Sequence, residues 1–183
     1  MSFPLGGLAV KIVARNPCKI HMVVDECPDS IVGVYENTND LSTNQFAGWI
    51  INNILDTAQT IKNTSGTGIA ETVNKAVSTL TIVAGTGTTA ASVADYTLQT
   101  PVSGSSGSIA GTVSYTAPSS GTSGSFTVTG TITNSSGNTI AYSEVGMTIS
   151  DGTNTFLIAH DVFSALNVSN GGTLAVTYTA TYS

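Results

Sequence analysis

The stretch Leu174-Ala-Val-Thr-Tyr-Thr-Ala-Thr-Tyr182 decides the fold class. Leu174, Val176, Tyr178, Ala180 and Tyr182 take every second position, with Thr177, Thr179 and Thr181 between them. Side chains of a strand alternate between faces, so this is an antiparallel strand with one apolar face and one hydroxyl face. Threonine suits the wet face because its branched Cβ fits the pleat while its hydroxyl meets water. The period recurs upstream. Phe126, Val128 and Ile132 oppose Thr127, Thr129, Thr131 and Thr133, and Ile109, Val113, Tyr115 and Ala117 share a face with Gly111 in phase.

Turn-forming clusters separate these runs: Ser103–Ser108, Ser119–Ser125, Asn134–Asn138, Ser150–Thr153 and Asn170–Gly172. Asp151-Gly152 is the sharpest hairpin signal, since glycine accepts the positive φ of a type I′ turn. About seven or eight short strands at this spacing predict a mainly β protein, an antiparallel β-sandwich or jelly-roll-like region over 79–183.

Working toward the N-terminus, Leu8–Arg15, Lys19–Val24 and Ile31–Glu36 read as strands broken by Pro17 and Pro28. Leu41 to Thr60 predicts one amphipathic helix: Phe46, Ile50 and Ile54 recur every four residues, beside Trp49 and Leu55, with Ser42 or Thr43 placed to cap it. Lys62–Gly68 reads as a polar loop, Ile69–Ser78 as a second short helix, and Leu80–Ala84 as a strand. The expected division is residues 1–78 as an attachment and assembly segment and 79–183 as the β domain, with one continuous domain as the alternative.

Composition narrows the function. The chain has 183 residues, and only 9% are charged, against roughly 25% in ordinary soluble proteins. Its 29 Thr and 22 Ser supply a hydroxyl surface instead. All five basic residues (Lys11, Arg15, Lys19, Lys62, Lys75) precede residue 76; beyond it stand only Asp95, Glu144, Asp151, Asp161 and His160. Nucleic acid demands clustered cations, so the C-terminal region is excluded as a nucleic-acid surface. No apolar run approaches the ~18 residues of a membrane span, and Met1–Val13 lacks the pattern of a signal peptide. An extracellular composition without an export signal fits a subunit that assembles in a host cytoplasm and meets the exterior inside a released virus particle. So few charges also predict tolerance of acid, because little self-repulsion develops there.

Candidate chemistry is sparse. Cys18 and Cys27 flank one strand with His21 and Asp25 between them. The spacing matches no closed zinc pattern. Free thiols are the leading reading, because a continuous strand holds the two ends too far apart; a Cys18–Cys27 disulfide, stabilising by about 2–3 kcal/mol, is the alternative. Gly85-Thr-Gly-Thr-Thr89 superficially resembles a phosphate loop but lacks the Gly-Lys-Ser/Thr ending, and reads as a turn. His160 and Asp161 close an apolar strand without a nucleophile elbow. Asp95, Glu144, Asp151 and Asp161 do not assemble readily into a carboxylate pair for glycoside chemistry. No catalytic residue, cofactor or metal is expected. Asn63, Asn134 and Asn167 begin glycosylation sequons, all at expected loops or strand ends.

Three stretches in order resemble a family of small virion structural proteins of tailed phages and archaeal viruses, tail- or tail-fibre-like or on the capsid surface. Asn39-Asp-Leu-Ser-Thr-Asn44 with Trp49-Ile-Ile-Asn-Asn-Ile-Leu55 resembles its "N-L-x-T-N" start and helix. Ile82-Val-Ala-Gly-Thr-Gly-Thr-Thr-Ala90 with Asp95-Tyr-Thr-Leu98 resembles its "G-T-G-T-T…D…L" segment. The third runs from Glu144-Val-Gly-Met147 through Leu157-Ile-Ala-His160 and Val162-Phe163 to Gly172-Thr-Leu-Ala-Val-Thr-Tyr178, with His160 where the pattern leads one to expect Arg. The resemblance covers roughly residues 37–183 and implies a β-sandwich without catalytic residues.

The expected function is therefore a non-enzymatic structural subunit of a virus particle. Its expected partners are other copies of itself, other virion proteins and a host receptor or glycan, with no nucleic acid and no membrane insertion. The rivals are a cell-surface filament or adhesin subunit, and a carbohydrate-binding module using Tyr96, Tyr142 and Tyr182.

Overall fold

A computed structural model of the protein describes residues 5–16, 30–40, 43, 59–71, 79–117 and 124–182. The chain is mainly β, and every strand pair is antiparallel. The strands are β1 (Leu5–Asn16), β2 (Ser30–Asp40), β3 (Gln59–Lys62), β4 (Gly68–Glu71), β5 (Thr79–Gly85), β6 (Ser108–Ala110), β7 (Thr112–Thr116), β8 (Gly124–Thr133), β9 (Ile140–Ser150), β10 (Thr155–Val168) and β11 (Thr173–Tyr182). One sheet runs β2-β1-β11-β8-β7, a second β10-β9-β5-β6, and β3-β4 form a hairpin.

The alternation read from β8 and β11 is the packing itself. Val128, Ile132, Leu174, Val176 and Tyr178 are all buried in one cluster. Val10, Ile12 and Ala14 of β1 join it from the first sheet, and Ile82, Ala84, Val145, Met147 and Ile149 from the second. Tyr35 on β2 packs on Phe163 of β10, ring centroids 5.2 Å apart. Side chains directly opposite in antiparallel strands share a face. The outer face of the first sheet therefore carries rows such as Thr112–Thr129–Thr177 and Ser114–Thr127–Thr179. β1 lies between β2 and β11. The N-terminal strands thus share one core with the strands beyond residue 79.

Some expectations need correction. Gln59 and Thr60, placed at the end of a helix, belong to β3; Ile69–Glu71, placed at the start of another, belong to β4. The polar loop between them is the tight end of that hairpin. Ile61 pairs with Ile69, and the Asn63 side-chain oxygen accepts from the amides of Ser65 at 3.1 Å and Thr67 at 3.0 Å. An Asx-type side chain organises the turn, and Gly66 supplies its positive φ of 79°. The rest of the helix expected over 41–60, apart from Thr43, lies outside the described residues. So do the expected strand 19–24 and residues 72–78.

The Asp151-Gly152 hairpin joins β9 to β10 through a four-residue connection rather than a two-residue type I′ turn. Gly152 takes a positive φ, 92°. The Asp151 carboxylate closes the turn by accepting from Thr153 N at 2.7 Å and Asn154 N at 2.6 Å.

Candidate functional site

Loop 86–100 leaves β5 and returns to it. Its ends are closed by Thr86 N donating to Thr100 O at 2.9 Å, giving the outline of a compact surface loop. Leu98, buried, lies against Gly146 of β9 and near Leu157 of β10 on the side of the second sheet away from the main core; a Cβ on Gly146 would meet both side chains. β9 is consequently buried on both faces along nearly its whole length.

Polar groups hold the loop down. The Glu144 side chain is fully buried, and its carboxylate accepts four hydrogen bonds. Oε1 takes Gly87 N at 2.9 Å and Thr100 N at 2.7 Å; Oε2 takes Gln99 N at 2.9 Å and His160 Nε2 at 3.1 Å. On the other side of the ring, His160 Nδ1 lies 2.7 Å from Asp95 Oδ2. That same oxygen accepts from Ser92 N at 2.8 Å. His160 is 1% exposed and Asp95 25%. Ser143 donates its hydroxyl to Gly87 O at 2.8 Å, and the Gln99 side chain braces Thr89 by bonds to its N and O.

Gly85 and Gly87 now have a reason. A Cβ on Gly85 would run into the Glu144 carboxylate and the Thr100 carbonyl, and one on Gly87 would stand 2.7 Å from Glu144 Oε1. The Gly-Thr-Gly segment does approach an anion closely with its backbone, as its likeness to a phosphate loop suggests, but the anion is the chain's own Glu144. Residues from the second and third of the resembling stretches meet here: Gly85, Gly87, Asp95, Leu98, Glu144, Gly146 and His160 all lie at one site. Sequence reading treated Asp95 and Glu144 as hard to bring together and His160 as a mere strand end. The available signal was scarcity, since three of the five Asp, Glu and His side chains beyond residue 76 meet at this point. The other two lie elsewhere. Asp151 sits in its turn, and Asp161 is buried with an interaction of its own.

A second feature is the edge formed by β6 and β7. Val113 stands opposite the buried Val128 and Tyr115 opposite Phe126, so both lie on the core-facing side of the first sheet. The second sheet ends at β6, which packs over β8, and β7 projects beyond it. Val113 is therefore 49% exposed and Tyr115 65%, with Ile109 at 38% beside them. The alternation predicts a buried face here; the face exists, but among the described residues the neighbouring sheet is one strand too narrow to cover it. No charged residue occurs from Ser108 to Ala117.

Other expected site residues fall as follows. Asn134 is fully buried. Its Nδ2 donates to Asn138 O and to Val168 O, both at 2.8 Å, and its backbone joins the two turns that cross between sheets. With both amide hydrogens engaged, it is a structural hub and offers no nitrogen to a glycan in the folded chain. Asn63 organises its turn and donates to Asn154 at 3.3 Å. Asn167 is exposed on β10. Cys18, Cys27, His21 and Asp25 lie outside the described residues. Tyr142 is no sugar platform: it is buried and donates to Ser106 O at 2.5 Å, and burial pushes its phenol above the ordinary tyrosine value. Tyr96 is half-buried beside Gly66, with Lys62 Nζ 5.3 Å from its ring centre.

Among the described residues, no group of three His, Cys, Asp or Glu is placed to hold a metal ion, and no helix is long and apolar enough to cross a membrane. No family model, no curated protein and no solved structure matches the chain.

Proposed function

We propose that the protein is a non-enzymatic structural subunit of a virus particle, built to assemble with copies of itself and with other virion proteins through its β6–β7 edge. The observation that carries this reading is the uncharged edge bearing exposed Ile109, Val113 and Tyr115. Monomeric proteins guard edge strands with charges, prolines or covering segments, because unpaired backbone groups invite another strand. Here the charges of the C-terminal region are spent elsewhere, and burial of the edge by a neighbouring subunit removes the liability.

The site at loop 86–100 supports a structural role over a catalytic one. Each ring nitrogen of His160 faces a carboxylate, so neither is turned toward a substrate, and Glu144 has its oxygens filled by four donors. The virion assignment rests on the motif resemblance; from its second and third stretches, Gly87, Asp95, Glu144 and His160 meet in this network. A filament subunit exchanging strands would use the same edge.

Immunogold labelling of source-culture material with antibody to residues 101–183 separates the two. Label on free particles, at tails or on the capsid surface, is the expected result. Label confined to cell-surface filaments overturns it.

A further inference from the structure

We propose that Asp95, His160 and Glu144 form a proton-dependent latch that holds loop 86–100 on the second sheet. An ionised carboxylate only accepts, and a neutral imidazole has one donor nitrogen and one acceptor nitrogen. His160 presents Nδ1 to Asp95 Oδ2 at 2.7 Å and Nε2 to Glu144 Oε2 at 3.1 Å. Both contacts are satisfied together only when the ring carries a proton on each nitrogen, between two carboxylates. A neutral ring, 1% exposed, turns one lone pair toward an anionic oxygen, and such a contact is costly for a buried group.

Among the described residues, the charges around the ring are few. From the loop comes Asp95, and from β9 comes Glu144. β5 contributes no ionisable side chain, and on β10 itself Asp161 occupies the opposite face. Beyond Asp95, toward the β3–β4 hairpin, the loop carries Tyr96, with the Lys62 ammonium above its ring. Among the described residues, His160 is thus the one cation at the centre of the network. Glu144 is neutralised from one side by this imidazolium and held on the other by Gly87, Gln99 and Thr100 amides.

The direction follows. The latch is closed while the ring is doubly protonated and loosens as pH rises and one proton leaves. The loop carries Tyr96 against Gly66 of the β3–β4 turn. That turn is pinned to the start of β10 by Thr64 N on Thr155 O at 2.8 Å. Opening the latch therefore frees loop 86–100 and its Tyr96 contact, while the β3–β4 turn stays pinned to β10 and the core and the β6–β7 edge stay in place. A histidine at this position makes loop attachment sensitive to pH in a range where an arginine would keep its charge.

Nitrogen-15 spectra of the His160 ring in the full chain test the first step: at about pH 6, both nitrogens are expected to be protonated. A single neutral tautomer there overturns the proposal. Amide hydrogen exchange, corrected for the intrinsic rate, tests the second. Protection of Gly87, Gln99 and Thr100 is expected to fall about ten-fold or more between about pH 6 and about pH 9, with Gly171 at the far turn unchanged. No change at the three amides, or an equal change at Gly171, overturns the latch. In His160→Gln, the three amides are expected to be weakly protected at both pH values; retained pH dependence overturns it. If that variant does not fold, the wild-type measurements decide alone.

Discussion

Loop 86–100 and the β6–β7 edge follow one another in the chain and treat charge in opposite ways. The loop is held by ionisable groups: buried Glu144 and His160 and partly exposed Asp95 bind it to the second sheet with hydrogen bonds of 2.7–3.1 Å. The edge has exposed apolar side chains and no charged residue, with Val113 49% and Tyr115 65% exposed. A β surface of hydroxyls stays hydrated without charge, so its few ionisable groups are available for the interior. Their withdrawal inward leaves the edge without the charges that normally discourage strand pairing.

The comparison breaks most readily at Glu144. Glu144→Ala strands three backbone amides and the buried His160 ring, and is expected to cost on the order of 3–5 kcal/mol, read as a lowered urea midpoint or loss of soluble protein. A variant as stable as the parent would show that the buried ions do not hold the loop. Next comes Gly87→Ala, whose methyl group falls on the Glu144 carboxylate. A loss of about 1–3 kcal/mol is expected from overpacking, measured by denaturant unfolding. The same change at Gly137, whose Cβ would meet nothing within 4 Å, is strained only by its positive φ of 84°. Comparing the two separates contact from backbone conformation. Asp95→Asn stands third. Asp95 is at the rim and partly screened by water, so about 1 kcal/mol is expected, with increased exchange confined to loop 86–100. Smallest in the unfolding experiment is the edge: Val113→Lys with Tyr115→Glu should shift monomer stability by less than about 0.5 kcal/mol, since neither side chain is buried.

What the sequence revealed divides along physical lines. The strands with one covered and one wet face were legible because the period of two is local: Val128 and Ile132 or Val176 and Tyr178 announce their face by position. Hairpin β3-β4 was not legible. Each strand has four residues, too few to show a period, and its turn depends on the side chain of Asn63. The latch was hidden for another reason. Asp95 and His160 are 65 positions apart, and only the pairing of β9 with β10 and the return of loop 86–100 bring them together. Gly85, Gly87 and Gly146 were visible as a pattern but not as a requirement, because what forbids a Cβ is a side chain or carbonyl from elsewhere in the fold. For β7 the pattern was right about the face and silent about its cover. The widths of the two sheets decide that, and no local period encodes them.

The central claim is that charge withdrawn to the interior leaves an edge meant for another subunit. Sedimentation velocity across a concentration series, on the parent chain and on the Val113→Lys, Tyr115→Glu variant, tests it most directly. The account predicts a parent that associates into a discrete oligomer and a variant that stays monomeric with an unchanged unfolding midpoint. A parent that remains monomeric at high concentration, or a variant that assembles as the parent does, would contradict it.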